Sequence, residues 1–420
     1  MDSNDKPKLL WISDFMSVNS GYGIQTNGIL NGLKQSGRFR LYHMALQYTA
    51  QPIVLNEITI IPTSPYDPWA NDVMAKRIEM VKPDYVVTLM DLFRPCKWLK
   101  DQKTYLKQFG AKTIAYFPLD GEPLPYESIT PTNVWEQFDY LVPMSYYGKE
   151  VLLNELPKLE PKVWQPIWHG IETTIFKPIP DSENSLVKGG VLKGKKFIVS
   201  SVFRNILRKN PQALIYAWYR FCRNKEDVLL LLHTNPNEPY PQGTNVGLLI
   251  NKLGLTNKIL FTGGEEFTFT VPPQIVNEVY NSSCVHVSCS TGEGFGLPII
   301  ESMATGLPNV LVDYTTSREL LGIPLNPLDE IKIAERGILL PYHFDPPVCS
   351  QLTQRAMIDY KKVSEVLENF YKRGAENLKK SYQLTCRDFA VQQFDWKTIM
   401  QKWNNFFSYV MDNDKRSQSK

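Results

Sequence analysis

Two carboxylates, Glu293 and Glu301, bracket a glycine-rich stretch that reads Ser288-Cys289-Ser290-Thr291-Gly292-Glu293-Gly294-Phe295-Gly296-Leu297-Pro298-Ile299-Ile300-Glu301. The apolar run 284–288 before it has the composition of a short buried strand, and the residues from Pro298 onward have that of a helix. Proline is tolerated in a helix's first turn, where its missing N–H costs nothing. The order strand, glycine turn, helix start presents backbone N–H groups and the positive end of a helix dipole to an anion. Carboxylates beside such a site accept hydrogen bonds from hydroxyls. A sugar nucleotide carries both kinds of group. The glycines alone would equally suit an ordinary strand-to-helix connection; the paired glutamates are what point to chemistry.

A second set lies upstream. Arg204 and Lys209 fall on the loop between a strand at 197–202 and a helix at 212–221. Two or three fixed cations at a strand's C-terminal end can neutralise a diphosphate. In the first half, a strand at 8–13 runs into a loop with Gly21 and Gly23, followed by a helix at 24–34 that ends near Gly37. The glycine spacing is not G-x-G-x-x-G, so no dinucleotide fingerprint is present; a structural loop explains it as well as a ligand loop does. Strands at 84–91 and 112–121 end in Asp91 and Asp120. An aspartate there often only caps a helix or forms a turn. Asp120, followed by Gly121, is the better catalytic candidate.

These residues need a scaffold, and the chain alternates strand and helix throughout. Further strands are expected at 140–145, 228–233, 258–263 and 309–313, and a helix at 272–281. Such alternation implies parallel sheets covered on both faces, with chemistry at the C-terminal ends of the strands. The 420 residues suffice for two domains. The stretch 181–196, rich in Ser, Gly and Lys, reads as a linker, which puts the boundary near Pro178. The segment 352–411 reads as helices, interrupted at Phe394-Asp395-Trp396 with Asp395 as an N-cap. The polar tail 412–420 is expected to fray.

Composition narrows the class. The chain is 43% hydrophobic and 21% charged, and its formal charge of +3 is too small to argue for nucleic acid. Its six cysteines, Cys96, Cys222, Cys284, Cys289, Cys349 and Cys386, show no metal spacing and read as reduced thiols of a cytoplasmic protein. The polar start and the lack of any long apolar run predict neither a secretory signal nor a membrane span. Between 94 and 112, Arg94, Lys97, Lys100, Lys103, Lys107 and Lys112 face one acid, Asp101, with Trp98, Leu99, Tyr105, Leu106 and Phe109 at helical spacing. That pattern suits peripheral contact with an anionic membrane, but it suits a domain helix with a buried apolar face better.

Taken together, these residues resemble the retaining nucleotide-sugar glycosyltransferases of family 4, also known as glycosyl transferases group 1. Glu293 and Glu301 match that family's E-x7-E motif, and Arg204 and Lys209 its R-x4-K pair. His169-Gly170-Ile171-Glu172, with Phe176 and Pro178, is similar to its interdomain signature, and Phe394-Asp395-Trp396 to the aromatic start of its last helix. The likeness is strong from about Gln165 to Tyr409. The resemblance implies an α/β GT-B architecture. That means an N-terminal Rossmann-like acceptor domain at 1–178 and a C-terminal Rossmann-like donor domain at 179–385. A helix at 386–411 would return to the first domain.

The resemblance also implies roles. Arg204 and Lys209 would bind the donor diphosphate, Glu293 a hydroxyl of the transferred sugar, and Glu301 the ribose. Phe295, Gly296 and Leu297 would offer backbone amides, and Gly21 and Gly23 would close on the phosphates. The activity would be transfer of a hexosyl group from a UDP- or GDP-sugar to a hydroxyl acceptor, whether glycan, lipid-linked or other. It would proceed with retention and with no metal or other cofactor. The leaving phosphate itself would deprotonate the acceptor. Relatives often carry a histidine at a strand end of the first domain; here that place falls to Asp120. Glu172 stands where aspartate is usual. A sugar-nucleotide epimerase on the same fold, or a non-catalytic sugar-nucleotide-binding subunit, is the alternative.

Overall fold

The structure is a computed structural model that describes residues 6–92, 96–130, 133–237, 244–263, 271–323, 332–345 and 352–418. The chain divides into two compact units. Unit 1 comprises Met1–Gly170, Cys349–Thr353 and Trp396–Lys420, and unit 2 comprises Ile171–Val348 and Gln354–Asp395.

Unit 1 is built on a seven-stranded sheet. Its strands are β1 (Lys8–Asp14), β2 (Arg40–Leu46), β3 (Ile53–Leu55), β4 (Ile58–Pro62), β5 (Tyr85–Leu89), β6 (Lys112–Phe117) and β7 (Tyr140–Pro143). The order is β3-β4-β2-β1-β5-β6-β7, parallel except for the β3–β4 pair. Sequence reasoning missed β2, β3 and β4. Unit 2 repeats the plan with β8 (Phe197–Val202), β9 (Val228–His233), β10 (Ile259–Phe261), β11 (Val285–Ser288), β12 (Asn309–Val312), β13 (Lys332–Ala334) and β14 (Gly337–Leu340). Their order is β10-β9-β8-β11-β12-β14-β13, again parallel except at the last pair. In each sheet an early strand, β1 or β8, has neighbours reached by crossovers in opposite directions. The strand order reverses there, and such a switch point opens a crevice at the C-terminal ends.

The boundaries differ from those read in the sequence. Chain passage between the units falls at Gly170–Ile171 rather than near Pro178. The reason is local: the Lys177 N–H donates to Asn277 Oδ1 at 3.0 Å and the Ile179 N–H to Asn281 Oδ1 at 2.9 Å, so 177–179 is bound to unit 2. The segment 386–394 also stays in unit 2, as the end of helix Ala375–Phe394. Arg387 anchors it, donating to the Ala304 carbonyl at 2.8 Å and the Thr173 carbonyl at 3.1 Å. Residues 355–358 are not helical but form a strand, Arg355–Ile358, antiparallel to Tyr342–Asp345. The chain does break at Phe394-Asp395-Trp396, and the Asp395 carboxylate accepts from Thr173 Oγ1.

The last helix, Trp396–Gln418, packs within unit 1. The tail expected to fray continues this helix to Gln418, and Asp414 is held by Tyr85 Oη at 3.0 Å and Lys112 Nζ at 3.4 Å. Its buried Trp403 meets Trp11 and Tyr116 edge-on, with ring centroids 5.7 and 4.9 Å apart. Gly28 and Gly32 let helix Gly21–Ser36 come close to it. A Cβ on Gly28 would lie 2.0 Å from the Trp396 ring, and one on Gly32 2.5 Å from Met400 Sδ. Gly→Ala inside a helix ordinarily stabilises by up to ~1 kcal/mol. Gly28→Ala is instead expected to lower the melting temperature, because overpacking costs about 1–3 kcal/mol. A raised melting temperature would refute this packing.

The basic helix runs Cys96–Gln108. Its Leu99 and Leu106 are buried, and Lys103 donates to the Gln137 carbonyl rather than standing in water. Arg94 and the side chains of Lys97, Trp98, Lys100 and Asp101 lie outside the described residues. Among the described residues no helix is long and apolar enough to cross a membrane. Cys222, Cys284, Cys289 and Cys386 are free thiols; Cys349 and the Cys96 side chain lie outside the described residues.

Candidate active site

β8 and β11 are parallel neighbours at the switch point of unit 2. The loop after β8 carries Arg204 to Lys209, and the loop after β11 carries Ser290 to Gly296. Ser201 Oγ donates to the Val287 carbonyl at 2.7 Å and ties the strand ends together. Beyond them, the first loop closes with a short turn, Leu207–Lys209, and a left-handed Asn210 (φ 49°). Asn210 caps helix Pro211–Phe221, accepting from the Ala213 N–H at 3.3 Å, and Pro211 takes the first helical position. Asn205, fully buried, donates to the carbonyls of Asn235 at 3.1 Å and Thr244 at 2.8 Å. The loop is thereby fastened at both ends.

Its cations meet the glycine turn directly. Lys209 Nζ lies 2.5 Å from Glu293 Oε1, and Arg208 Nη1 lies 3.0 Å from Glu293 Oε2. Arg208 Nη1 also donates to the Gly292 carbonyl, and the Arg208 carbonyl accepts from the Thr291 N–H at 2.8 Å. The Glu293 N–H donates to Thr315 Oγ1 at 3.0 Å. Burial opposes the charge on Glu293, but Lys209 and then Arg208 outweigh it and hold the carboxyl at about 2. Glu293 is therefore a carboxylate at any physiological pH.

Glu301 stands in a different environment. It is buried on helix Leu297–Ala304 and accepts from Tyr280 Oη at 3.1 Å. Burial pushes its carboxyl up to about 7, with the Tyr280 hydrogen bond a smaller opposing influence. Gly296 enters that helix at φ 110°, a conformation open to glycine, and a Cβ there would sit 2.8 Å from Ile299 Cδ1. Phe295 is buried edge-on to Phe394, and its carbonyl accepts from Thr316 Oγ1 at 2.5 Å. Leu297 is the first residue of the helix.

The expected residues are thus not all equivalent. Lys209 and Glu293 lie together in an ion pair. Arg204 is exposed, whereas Arg208, not singled out in the sequence, is the second cation on Glu293. The only sequence signal for Arg208 was its place next to Lys209 at the end of the loop. Tyr280, 21 residues before Glu301, carried no signal at all.

In unit 1, the Gly23 N–H donates to Ser20 Oγ at 2.9 Å, and a Cβ on Gly23 would lie 2.3 Å from the Val18 carbonyl oxygen. Gly23 is thus required by the turn itself, and Gly21 is the first residue of the following helix. At the C-terminal ends of β5 and β6, Asp91 and Asp120 line a pocket with Leu119, Gly121 and Trp135. Tyr22 Oη donates to Asp91 Oδ1 at 3.1 Å. Burial, and then Asp91, Asp120 and Asp14, push the Tyr22 hydroxyl well above its usual range. His169 of the His-Gly-Ile-Glu run is buried, with Nδ1 2.8 Å from Tyr116 Oη, and burial lowers it to about 3.

Residues 183–322, which span both loops, match the family model described as glycosyl transferases group 1. The candidate glycosyltransferases 48 and 41 of Sulfolobus islandicus filamentous virus (isolate Iceland/Hveragerdi) are 37% identical over 65 residues and 30% identical over 92 residues. Those matches span 15% and 21% of this chain, and only 21% and 28% of the length of the two viral proteins. Among solved structures, sucrose-phosphate synthase from Thermosynechococcus elongatus superposes over 97% of this chain and 100% of its own, with TM-score 0.71 and 15% identity. A glycosyltransferase from Rickettsia africae ESF-5 covers the same shares at TM-score 0.69 and 18% identity. Anabaena HepE in complex with UDP-glucose covers 96% of this chain and 100% of its own at TM-score 0.65 and 15% identity. The chain therefore has the GT-B fold, and its residues 183–322 carry the pattern of the glycosyl transferases group 1.

Proposed function

We propose that this protein is a glycosyltransferase that moves a hexosyl group from a nucleoside diphosphate sugar to a hydroxyl acceptor with retention of configuration. The observation that carries this reading is the convergence of Lys209 and Arg208 on Glu293 at the switch point of unit 2. It lies inside the stretch that matches the family model. HepE, a neighbour in fold, holds UDP-glucose, which favours a nucleotide sugar as the donor.

In this reading the cations stabilise the negative charge that builds on the diphosphate as the glycosidic bond breaks. Glu293, ionised in the free protein, accepts a hydrogen bond from a sugar hydroxyl, and Glu301 accepts one from the ribose. The leaving phosphate takes the acceptor's proton on the face it vacates, so the residues supply electrostatics and position and no covalent intermediate on the protein is needed. Neither a metal ion nor an organic cofactor takes part. The acceptor's contacts belong to unit 1, where Asp120 and Asp91 line the pocket at the C-terminal edge of the sheet.

A thermal-shift screen against UDP- and GDP-sugars tests the donor. A ligand at 100 times its dissociation constant stabilises by about 2.7 kcal/mol, so the true donor should stand out by several degrees. No shift with any nucleoside diphosphate sugar would remove the reading. Incubating the identified donor alone then separates transfer from epimerisation, since an epimerase converts donor without an acceptor.

A further inference from the structure

We infer that Glu293 is a built-in competitor for the cations that hold the donor's diphosphate, so that donor entry exchanges one anion for another. The inference rests on the donor-site reading above. Its basis is the geometry of a single carboxylate shared by two cations, one on each oxygen: Lys209 Nζ at 2.5 Å and Arg208 Nη1 at 3.0 Å. Lys209 and Glu293 expose only 14% and 11% of their side chains, so solvent screens this pair weakly.

The arrangement is preset on both sides. Thr315 Oγ1 holds the Glu293 backbone, and the Gly292 carbonyl holds the Arg208 guanidinium. A phosphate arriving at these cations meets groups already satisfied by a carboxylate. A singly charged anion gains little by displacing it, whereas a diphosphate brings several oxyanions and more charge to the same two donors. The displaced carboxylate, still buried, loses the partners that offset its burial and is left to bind a proton or a sugar hydroxyl. The site is thereby selective for the diphosphate class, and the freeing of Glu293 for the sugar is coupled to diphosphate binding.

Titration calorimetry with inorganic pyrophosphate tests this on the full chain, comparing wild type with Glu293→Gln and Lys209→Met. The exchange predicts that Glu293→Gln, which keeps the shape but removes the competing charge, binds pyrophosphate about tenfold or more tightly than wild type. Lys209→Met should bind it at least about tenfold more weakly. If Lys209→Met weakens binding but Glu293→Gln leaves it equal or weaker, the exchange is overturned and the donor site stands. If Lys209→Met binds as wild type does, the donor-site reading falls, and the exchange with it. Should Glu293→Gln not fold, the wild-type carboxyl carbon of Glu293 can be followed by NMR. Its titration midpoint should rise from about 2 to above the ordinary glutamate value on saturation with pyrophosphate. An unmoved midpoint overturns the exchange.

Discussion

Replacing Lys209 with methionine is expected to lower the rate of sugar transfer by about 10²–10³-fold, the usual effect of losing one fixed donor that stabilises developing charge. The same change should also cost stability, because it removes from the buried Glu293 carboxylate the Lys209 ammonium on Oε1 and leaves Arg208 on Oε2. Breaking one side of a buried pair costs about 3 kcal/mol. The two effects separate in the double variant Lys209→Met/Glu293→Gln. Removing the stranded charge should restore most of the melting temperature, while transfer stays low. The pH dependence has a definite sign. Glu293 is held at about 2, below its unfolded value, so its contribution to stability is present above the ordinary glutamate range and is lost as pH falls toward 2. The stability gap between wild type and Lys209→Met should therefore close in acid. Unchanged transfer kinetics in the single variant would end the diphosphate assignment.

The second large effect concerns Glu301 and has the opposite sign. Its folded-state carboxyl is raised to about 7, so the folded protein holds a proton that the unfolded chain gives up near 4.5. Stability is complete below the unfolded value, declines as pH rises toward 7, and is level above it. The decline amounts to about 3 kcal/mol, from roughly 1.4 kcal/mol per pH unit. Glu301→Gln keeps an acceptor for Tyr280 Oη but carries no charge to desolvate. The variant should match wild type near pH 4.5 and exceed it at pH 8, visible in urea midpoints measured across that range. Parallel curves for the two proteins would show that burial does not hold Glu301 neutral. If Glu301 accepts from the ribose as proposed, the carboxylate is the stronger acceptor, so donor affinity of wild type should weaken as pH falls through about 7. Glu301→Gln should bind donor about 10- to 100-fold more weakly at pH 8, as expected for loss of a charged hydrogen bond. It should also lose the pH dependence.

Local order carried much of the fold and part of the site. The strand, glycine turn and helix from Val285 to Ala304 lie consecutively along the chain, and composition alone marks them. The same holds for the loop between β8 and helix Pro211–Phe221, with Asn210 and Pro211 supplying the cap. Alternating apolar runs made two parallel-sheet domains legible, and the E-x7-E and R-x4-K spacings pointed to the two loops.

What the sequence by itself determined is therefore the local segments and the residue types they carry: a glycine turn between two glutamates, and a basic loop before a proline-started helix. Only the tertiary structure decided which of those residues meet. Lys209 and Arg208 reach Glu293 across 84 and 85 residues because β8 and β11 lie side by side. It put Arg208, next to Lys209 in the chain, on the second oxygen of Glu293. It also put Glu301 beside Tyr280 in the interior and so set the two glutamates to opposite sides of the ordinary carboxyl range. Spacing can specify a carboxylate, but its protonation depends on desolvation and on charges brought near it by strand pairing. Neither is a property of neighbours in the chain.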